Sequence, residues 1–277
     1  MIKPHWLFPF SLVICIAAMC EQIINQPTTK TGFHRNSVLF KAETVSLPTE
    51  QTLNYGDPTP LTSVTNQSHD YQHILTSGPV TKREIALTFD DAPDNAFTPK
   101  ILDILKSKGV KATFFVVGWR MEAYPEIVKR IVEDGHVLGN HTYSHANLPK
   151  LNDDSFQQQI MKTDNLIEKF TGFAPNIVRP PYGNITNKQI HWLGSQKKYV
   201  VNWNVDSLDW KGLTGEQVAA NVLLHVHPGS IILQHSGTGK GGDLSGTVNA
   251  LPTIIDKLKS EGFELVTIPE LLGIPAP

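Results

Sequence analysis

The sequence predicts an α/β fold, an incomplete β/α barrel of about seven parallel strands with outer helices. Three observations carry this reading. From Arg83 onward, short apolar runs of strand length alternate with segments whose apolar residues recur at helical spacing. The helical segments end on chain-stopping glycines such as Gly109, Gly135 and Gly172. Polar and titratable residues follow the strand runs directly, which is where β/α barrels carry their chemistry.

The elements follow in order. Ile85 to Phe89 is an apolar strand, and Pro99 to Lys108 sets Ile101, Leu102, Ile104 and Leu105 on one helical face before Gly109. Ala112 to Val117 reads as a second strand, Pro125 to Asp134 as a helix closed by Gly135, and Val137 to Gly139 as a third strand. A long polar helix spans about Asp154 to Phe170. Strands then follow at Ile177-Val178, Tyr199 to Trp203, Ser230 to Gln234 and Glu264 to Val266. Helices separate them near Asn187 to Gln196, Thr214 to Val226 and Val248 to Glu261.

The chain divides into residues 1–20, 21–82 and 83–277. Lys3 precedes an uncharged apolar run from Trp6 to Cys20, which resembles an export signal and is too short for a committed membrane span. Ile16 to Cys20 is similar to a bacterial lipobox, with Met19 where a small residue is expected. The expected location is therefore exported, either secreted or held at the cell envelope. Residues 21–82 hold eleven Thr, five Ser and five Pro without a sustained period, the composition of a spacer, although Tyr71 to Leu75 could dock on the domain.

The 24 Lys and Arg against 26 Asp and Glu leave a net charge of -2, which gives no electrostatic reason to bind nucleic acid. Only Cys15 and Cys20 carry thiols, and both lie in the apolar run. A disulfide framework, a zinc-thiolate centre and a cysteine nucleophile are thus excluded from the folded part, and any metal there is held by N and O ligands.

The strand ends concentrate candidate residues: Asp90-Asp91, then Asn140 to His145, Arg179 to Tyr182, Asp206 to Trp210, and His235. His141 and His145 stand four apart, which on a helical turn would put both imidazoles within reach of one ion. Asp91 can supply a third ligand, and three protein ligands leave a position open for water, as in catalytic zinc sites. Successive side chains leaving a strand diverge, so Asp90 is left as general base, with Arg179 as its positive partner. His235 is placed to protonate a leaving amine, oriented by a carboxylate such as Asp209. Each has a plainer structural reading: a turn or cap for the aspartates, a surface ion pair for Arg179, a core histidine for His235. A zinc peptidase is disfavoured because Thr142 stands where that chemistry needs Glu.

These segments resemble the five ordered motifs of the polysaccharide deacetylases with the NodB homology domain, carbohydrate esterase family 4. They are Thr88-Phe89-Asp90-Asp91, His141-Thr142-Tyr143-Ser144-His145, Arg179-Pro180-Pro181-Tyr182, Asp206-Ser207-Leu208-Asp209-Trp210 and Leu233-Gln234-His235. The resemblance covers about Lys82 to Leu272. It implies a distorted barrel and a metal-dependent hydrolase, Zn2+ or another first-row ion such as Co2+, removing N-acetyl groups from N-acetylglucosamine units of peptidoglycan or chitin-like polymers. Asp90 would be the base, His235 the acid, and Asp91, His141 and His145 the metal ligands. The Tyr182 N–H would bind the oxyanion, while Trp210 and Leu233, which alone read as core residues, would receive the acetyl methyl. Arg179 and Asp209 would tune base and acid, the pairing left open. The only partner implied is the glycan, with a monomeric chain and no protein partner. A catalytically silent wall-binding protein is the alternative. Two positions depart from the motifs: Ala92 precedes Pro93 where Gly is usual, and Ser236 follows the acid where Asp is common.

Overall fold

The computed structural model describes Tyr71 and residues 73–275. The apolar N-terminal run, both cysteines and most of the spacer lie outside the described residues. In chain order the strands and helices are β1 (Ile74–Leu75), β2 (Glu84–Ala92), α1 (Thr98–Lys108), β3 (Thr113–Val116), α2 (Gly118–Ala123), α3 (Pro125–Glu133), β4 (Val137–Asn140) and α4 (Asp153–Thr171). There follow β5 (Ile177–Val178), α5 (Asn187–Ser195), β6 (Tyr199–Val201), β7 (Val205–Asp206), α6 (Gly215–Leu223), β8 (Ile231–His235), α7 (Ser245–Ser260), β9 (Glu264–Val266) and α8 (Ile268–Leu272).

All named strands pair in parallel, in the spatial order β1-β6-β5-β4-β3-β2-β8-β7, with β9 beside the start of β2. Because β1 and β7 end the path, the sheet curls into a half-barrel instead of closing, as the incomplete barrel requires. Among the described residues nine strands stand where about seven were expected. β1 is added from the segment read as spacer, and Asn202–Asn204 separates β7 from a β6 that stops at Val201 instead of Trp203. Both additions are two residues long, below the length at which alternation can be seen in sequence.

Side-chain alternation along β2 explains the layers. Ile85, Leu87 and Phe89 face the outer helices, in a cluster with Ile101, Leu102 and Leu105 of α1 and Leu251, Ile254 and Ile255 of α7. Phe89 and Phe114 stack there, with ring centroids 5.1 Å apart. The alternate residues of β2 point into the barrel. Ala86 joins Phe115, Ile177, Val201 and Ile231 in the inner cluster, which α8 plugs with Ile268 and Leu271. β9 pairs with Glu84 to Ala86, so this plug lies at the end of the barrel opposite Asp90. Every fully buried Leu or Ile contributes about 1.5–3 kcal/mol, so the packed floor is rigid support for the open mouth.

Helix ends follow local chemistry. Thr186, Thr214 and Thr267 start α5, α6 and α8 with capping boxes closed by Gln189, Gln217 and Glu270. Gly109 and Gly172 end α1 and α4 in the left-handed conformation. Gly139 is needed for space: a Cβ there would enter the Phe115 ring, which itself lies beneath Arg179.

Candidate active site

The mouth of the half-barrel holds a cavity of about 400 Å³ lined by Asp90, Asp91, His141, His145, Tyr182, Trp210, Leu233 and His235. Residues from five separate strand ends therefore meet at one place. Asp90 continues the inward face of β2 and is 3% exposed. Register with β3 shifts between Phe89 and Ala92, and Asp91 sits at that irregularity with φ 64°. The bulge is what turns two successive carboxylates toward one cavity. It also answers the Ala92 departure: the left-handed residue is Asp91, Ala92 is fully buried, and the Ala92-Pro93 peptide is cis.

Asp91, His141 and His145 form a cluster whose donor atoms all lie within 4.8 Å of one another. His145 Nε2 is 3.3 Å and His141 Nε2 is 3.8 Å from Asp91 Oδ1. A tetrahedral ion with bonds of about 2.0–2.1 Å spaces its donors about 3.4 Å apart, close to these two separations, so the cluster could hold an ion of that size. The His141 Nδ1 contact at 2.7 Å is to the Arg179 carbonyl, which can only accept; Nδ1 therefore carries the proton and Nε2 presents its lone pair. Burial depresses the His141 pKa to about 3 against the opposing pull of Asp91, which keeps the imidazole in the neutral, ligating form.

The expected helical turn between the two histidines is not there. Residues 141–147 form a loop in which Thr142 (φ 66°) and His145 (φ 57°) are left-handed. The rings meet edge to face at 5.1 Å through this backbone path. Asn140 supports the path: its Oδ1 accepts from Thr142 N at 2.7 Å, and its amide donates to Asp164 and to the Ile160 carbonyl. Asp164 in turn pairs with Lys198 at 2.8 Å. Burial raises the Asp164 pKa, with Lys198 opposing.

Arg179 is fully buried, which corrects the surface ion-pair alternative. Its Nη1 donates to Asp90 Oδ1 and to Thr88 Oγ1, both at 2.8 Å, and its remaining nitrogens reach the carbonyls of Val201 and Asn202. Phe115 lies under the guanidinium at 4.1 Å. Desolvation lowers the arginine pKa and Asp90 opposes it. With Oδ1 taken, Asp90 is left with Oδ2, which lies 3.7 Å from His141 Nε2 on the metal side.

Across the cavity, His235 Nδ1 meets Asp209 Oδ1 at 2.7 Å. Asp209 is pinned by the His235 backbone N–H at 2.8 Å and the Thr247 hydroxyl at 2.7 Å. Burial alone lowers the His235 pKa, but the Asp209 hydrogen bond and charge, with Asp90 and Asp91, outweigh it and lift the group to about 9. The open pairing is thus resolved geometrically: Arg179 with Asp90, Asp209 with His235.

Tyr182 has φ 62° in a tight turn, Pro181–Gly183, whose hydrogen bonds come from Gly183 and Asn184. Its ring packs edge-on against His145 at 4.8 Å. Trp210 is 55% exposed, so reading it as a core residue is wrong: the turn Asp209–Lys211, entered through the left-handed Leu208, swings it outward to the cavity rim. Leu233 is buried and lines the cavity beside it. The site also includes residues that the strand-end rule passed over. Trp203 lines the cavity because β6 stops early, and Gly237 packs so close to the Asp91 carbonyl that any Cβ would collide. Ser236, the second departure, holds the loop through backbone alone: its N–H donates to the Asp90 carbonyl and its carbonyl accepts from Thr98.

Three residues that could hold a metal ion, flanked by an arginine-held carboxylate and a carboxylate-held histidine, suit the site of a hydrolase. Comparison with known proteins narrows the class. The polysaccharide deacetylase family profile matches residues 77–201. A peptidoglycan-N-acetylglucosamine deacetylase of Bacillus cereus is 52% identical over 195 residues, 70% of each chain. A peptidoglycan-N-acetylmuramic acid deacetylase of Bacillus subtilis is 37% identical over 252 residues, 91% of this chain and 46% of that one. Among solved structures, a peptidoglycan N-acetylglucosamine deacetylase superposes with a TM-score of 0.71 at 50% identity, covering 73% of this chain and 94% of that one. A family 4 pseudoenzyme from Bacillus anthracis superposes with a TM-score of 0.67 at 32% identity, covering 72% and 69%. The chain belongs to the polysaccharide deacetylase family.

Proposed function

We propose that this chain is a metal-dependent N-deacetylase of N-acetylglucosamine units, with peptidoglycan as the favoured polymer and chitooligosaccharide next. The observation that carries it is the meeting of Asp90, Asp91, His141, His145 and His235 in one cavity with their supporting partners in place. Zn2+ is the favoured ion, with Co2+ an alternative, since an Asp-His-His set discriminates weakly among first-row metals. Held by Asp91, His141 and His145, the ion would act as a Lewis acid and favour deprotonation of water.

The chain's own residues supply the rest. Asp90 Oδ2 takes a proton from the attacking water, whose oxygen adds to the acetamide carbonyl; Arg179 fixes the other oxygen of the base. The backbone N–H of Tyr182 donates to the oxyanion that develops. His235, protonated and held by Asp209, gives its Nε2 proton to the amide nitrogen as the C–N bond breaks, leaving acetate and a free amine. Trp210 and Leu233 form the apolar wall for the methyl group. The domain 83–277 would follow an export segment 1–20 and a spacer 21–82, placing the activity outside the cytoplasm, secreted or tethered at the envelope.

A second reading, a silent glycan-binding protein, is favoured by the pseudoenzyme among the solved relatives. The two separate in one assay: acetate released from peptidoglycan and from chitin oligomers, with and without a chelator. Chelator-sensitive release supports the enzyme, and glycan retention with no release supports the silent protein.

A further inference from the structure

The loop from His141 to His145 carries two metal ligands and contains two left-handed non-glycine residues, Thr142 and His145, a conformation that costs of order 1–3 kcal/mol per residue unless the surroundings enforce it. Its carbonyl side is held by α2, where the N–H groups of Gly118 and Trp119 donate to the Thr142 and Tyr143 carbonyls at 3.0 Å. Its N–H side is held by α4. Asn140, itself held by α4, takes the Thr142 N–H. A single oxygen, Gln159 Oε1, then accepts from Tyr143 N at 2.9 Å, Ser144 N at 2.8 Å and Ser144 Oγ at 3.2 Å.

We propose that Gln159, in the second turn of α4, is a positioning residue for the metal site: its side-chain oxygen gathers two successive N–H groups and so fixes the peptides that aim His145 at Asp91. It touches no ligand atom and acts through the Tyr143 and Ser144 N–H groups and the Ser144 hydroxyl. Those peptides lie directly between the two histidines, so a rotation there moves His145 Nε2 away from its 3.3 Å approach to Asp91. The residue type matters for its acceptor. Glutamate keeps that acceptor, whereas methionine keeps the length and loses it.

The proposal rests on the metal-site reading, and the test separates the two. Zn2+ affinity is measured by competition with a chromophoric chelator on the parent chain, Gln159→Met and Gln159→Glu, together with the visible spectrum of the Co2+ forms and the melting temperature without metal. Gln159→Met is expected to bind Zn2+ about tenfold or more weakly with an altered Co2+ spectrum, and Gln159→Glu to keep parent affinity and spectrum. Equal affinity in Gln159→Met, or a loss shared by both variants that follows a fall in melting temperature, overturns the proposal while leaving the metal site standing. A parent chain that binds no Zn2+ overturns both.

Discussion

Replacing Asp209 by Asn is the sharpest perturbation of the acid side of the site. Asp209 accepts from His235 Nδ1 at 2.7 Å and from the His235 backbone N–H at 2.8 Å. Burial pulls the imidazole pKa down, yet it stands at about 9, above its ordinary 6.5. At about 1.36 kcal/mol per pKa unit, that difference is worth roughly 3 kcal/mol in favour of the protonated form. The sign follows: a raised folded pKa means that the proton donor is intact through neutral pH and is lost only as pH climbs through about 9. In Asp209→Asn the burial penalty remains and the largest compensating group is gone. The alkaline limb of kcat/KM for acetate release should then move down by two units or so, which cuts the rate about tenfold at pH 8 and leaves it nearly unchanged at pH 6. The assay is a pH series on a fixed glycan substrate. An alkaline limb that stays in place would refute His235 as the acid coupled to Asp209.

Three further outcomes follow from the same contacts. Dialysis against a chelator should abolish acetate release, and Zn2+ or Co2+ should restore it, if Asp91, His141 and His145, which could hold one ion, do so. Arg179→Leu should strand the Asp90 carboxylate in a buried site; urea denaturation should show a loss of about 3–5 kcal/mol, the scale for breaking a buried ion pair. His136 accepts from Ala112 N through Nδ1, and burial holds its pKa at about 4. Its folded pKa lies below the ordinary 6.5, so its contribution to stability is complete above pH 6.5 and drains away as pH falls toward 4. His136→Gln should flatten the fall in melting temperature between pH 7 and 5 in metal-free protein.

The site was legible to the extent that it hangs on strand ends. Asp90, Asp91, His141, Arg179, Asp209 and His235 follow apolar runs that no other element could explain, and parallel strands bring their ends to one face whatever the loops do. The pairing of Arg179 with Asp90 was harder, since they are 89 residues apart and meet only because both point inward. The left-handed residues were not legible. Asp91, Thr142, His145, Tyr182 and Leu208 carry no glycine signature; around Thr142 and Tyr143 it is side-chain hydrogen bonds from Asn140 and Gln159 that hold the backbone. That is why the histidine pair read as a helical turn. Trp210 read as core for a related reason: an aromatic residue beside a strand is usually buried, and nothing local announces the turn that exposes it.

The central claim is that Asp90 is the base beside a metal site it does not itself hold. Asp90→Asn, assayed for acetate release from peptidoglycan with Zn2+ content measured on the same sample, tests it directly. One equivalent of Zn2+ with turnover abolished is the expected result. Turnover near the parent rate with Zn2+ bound would contradict the account.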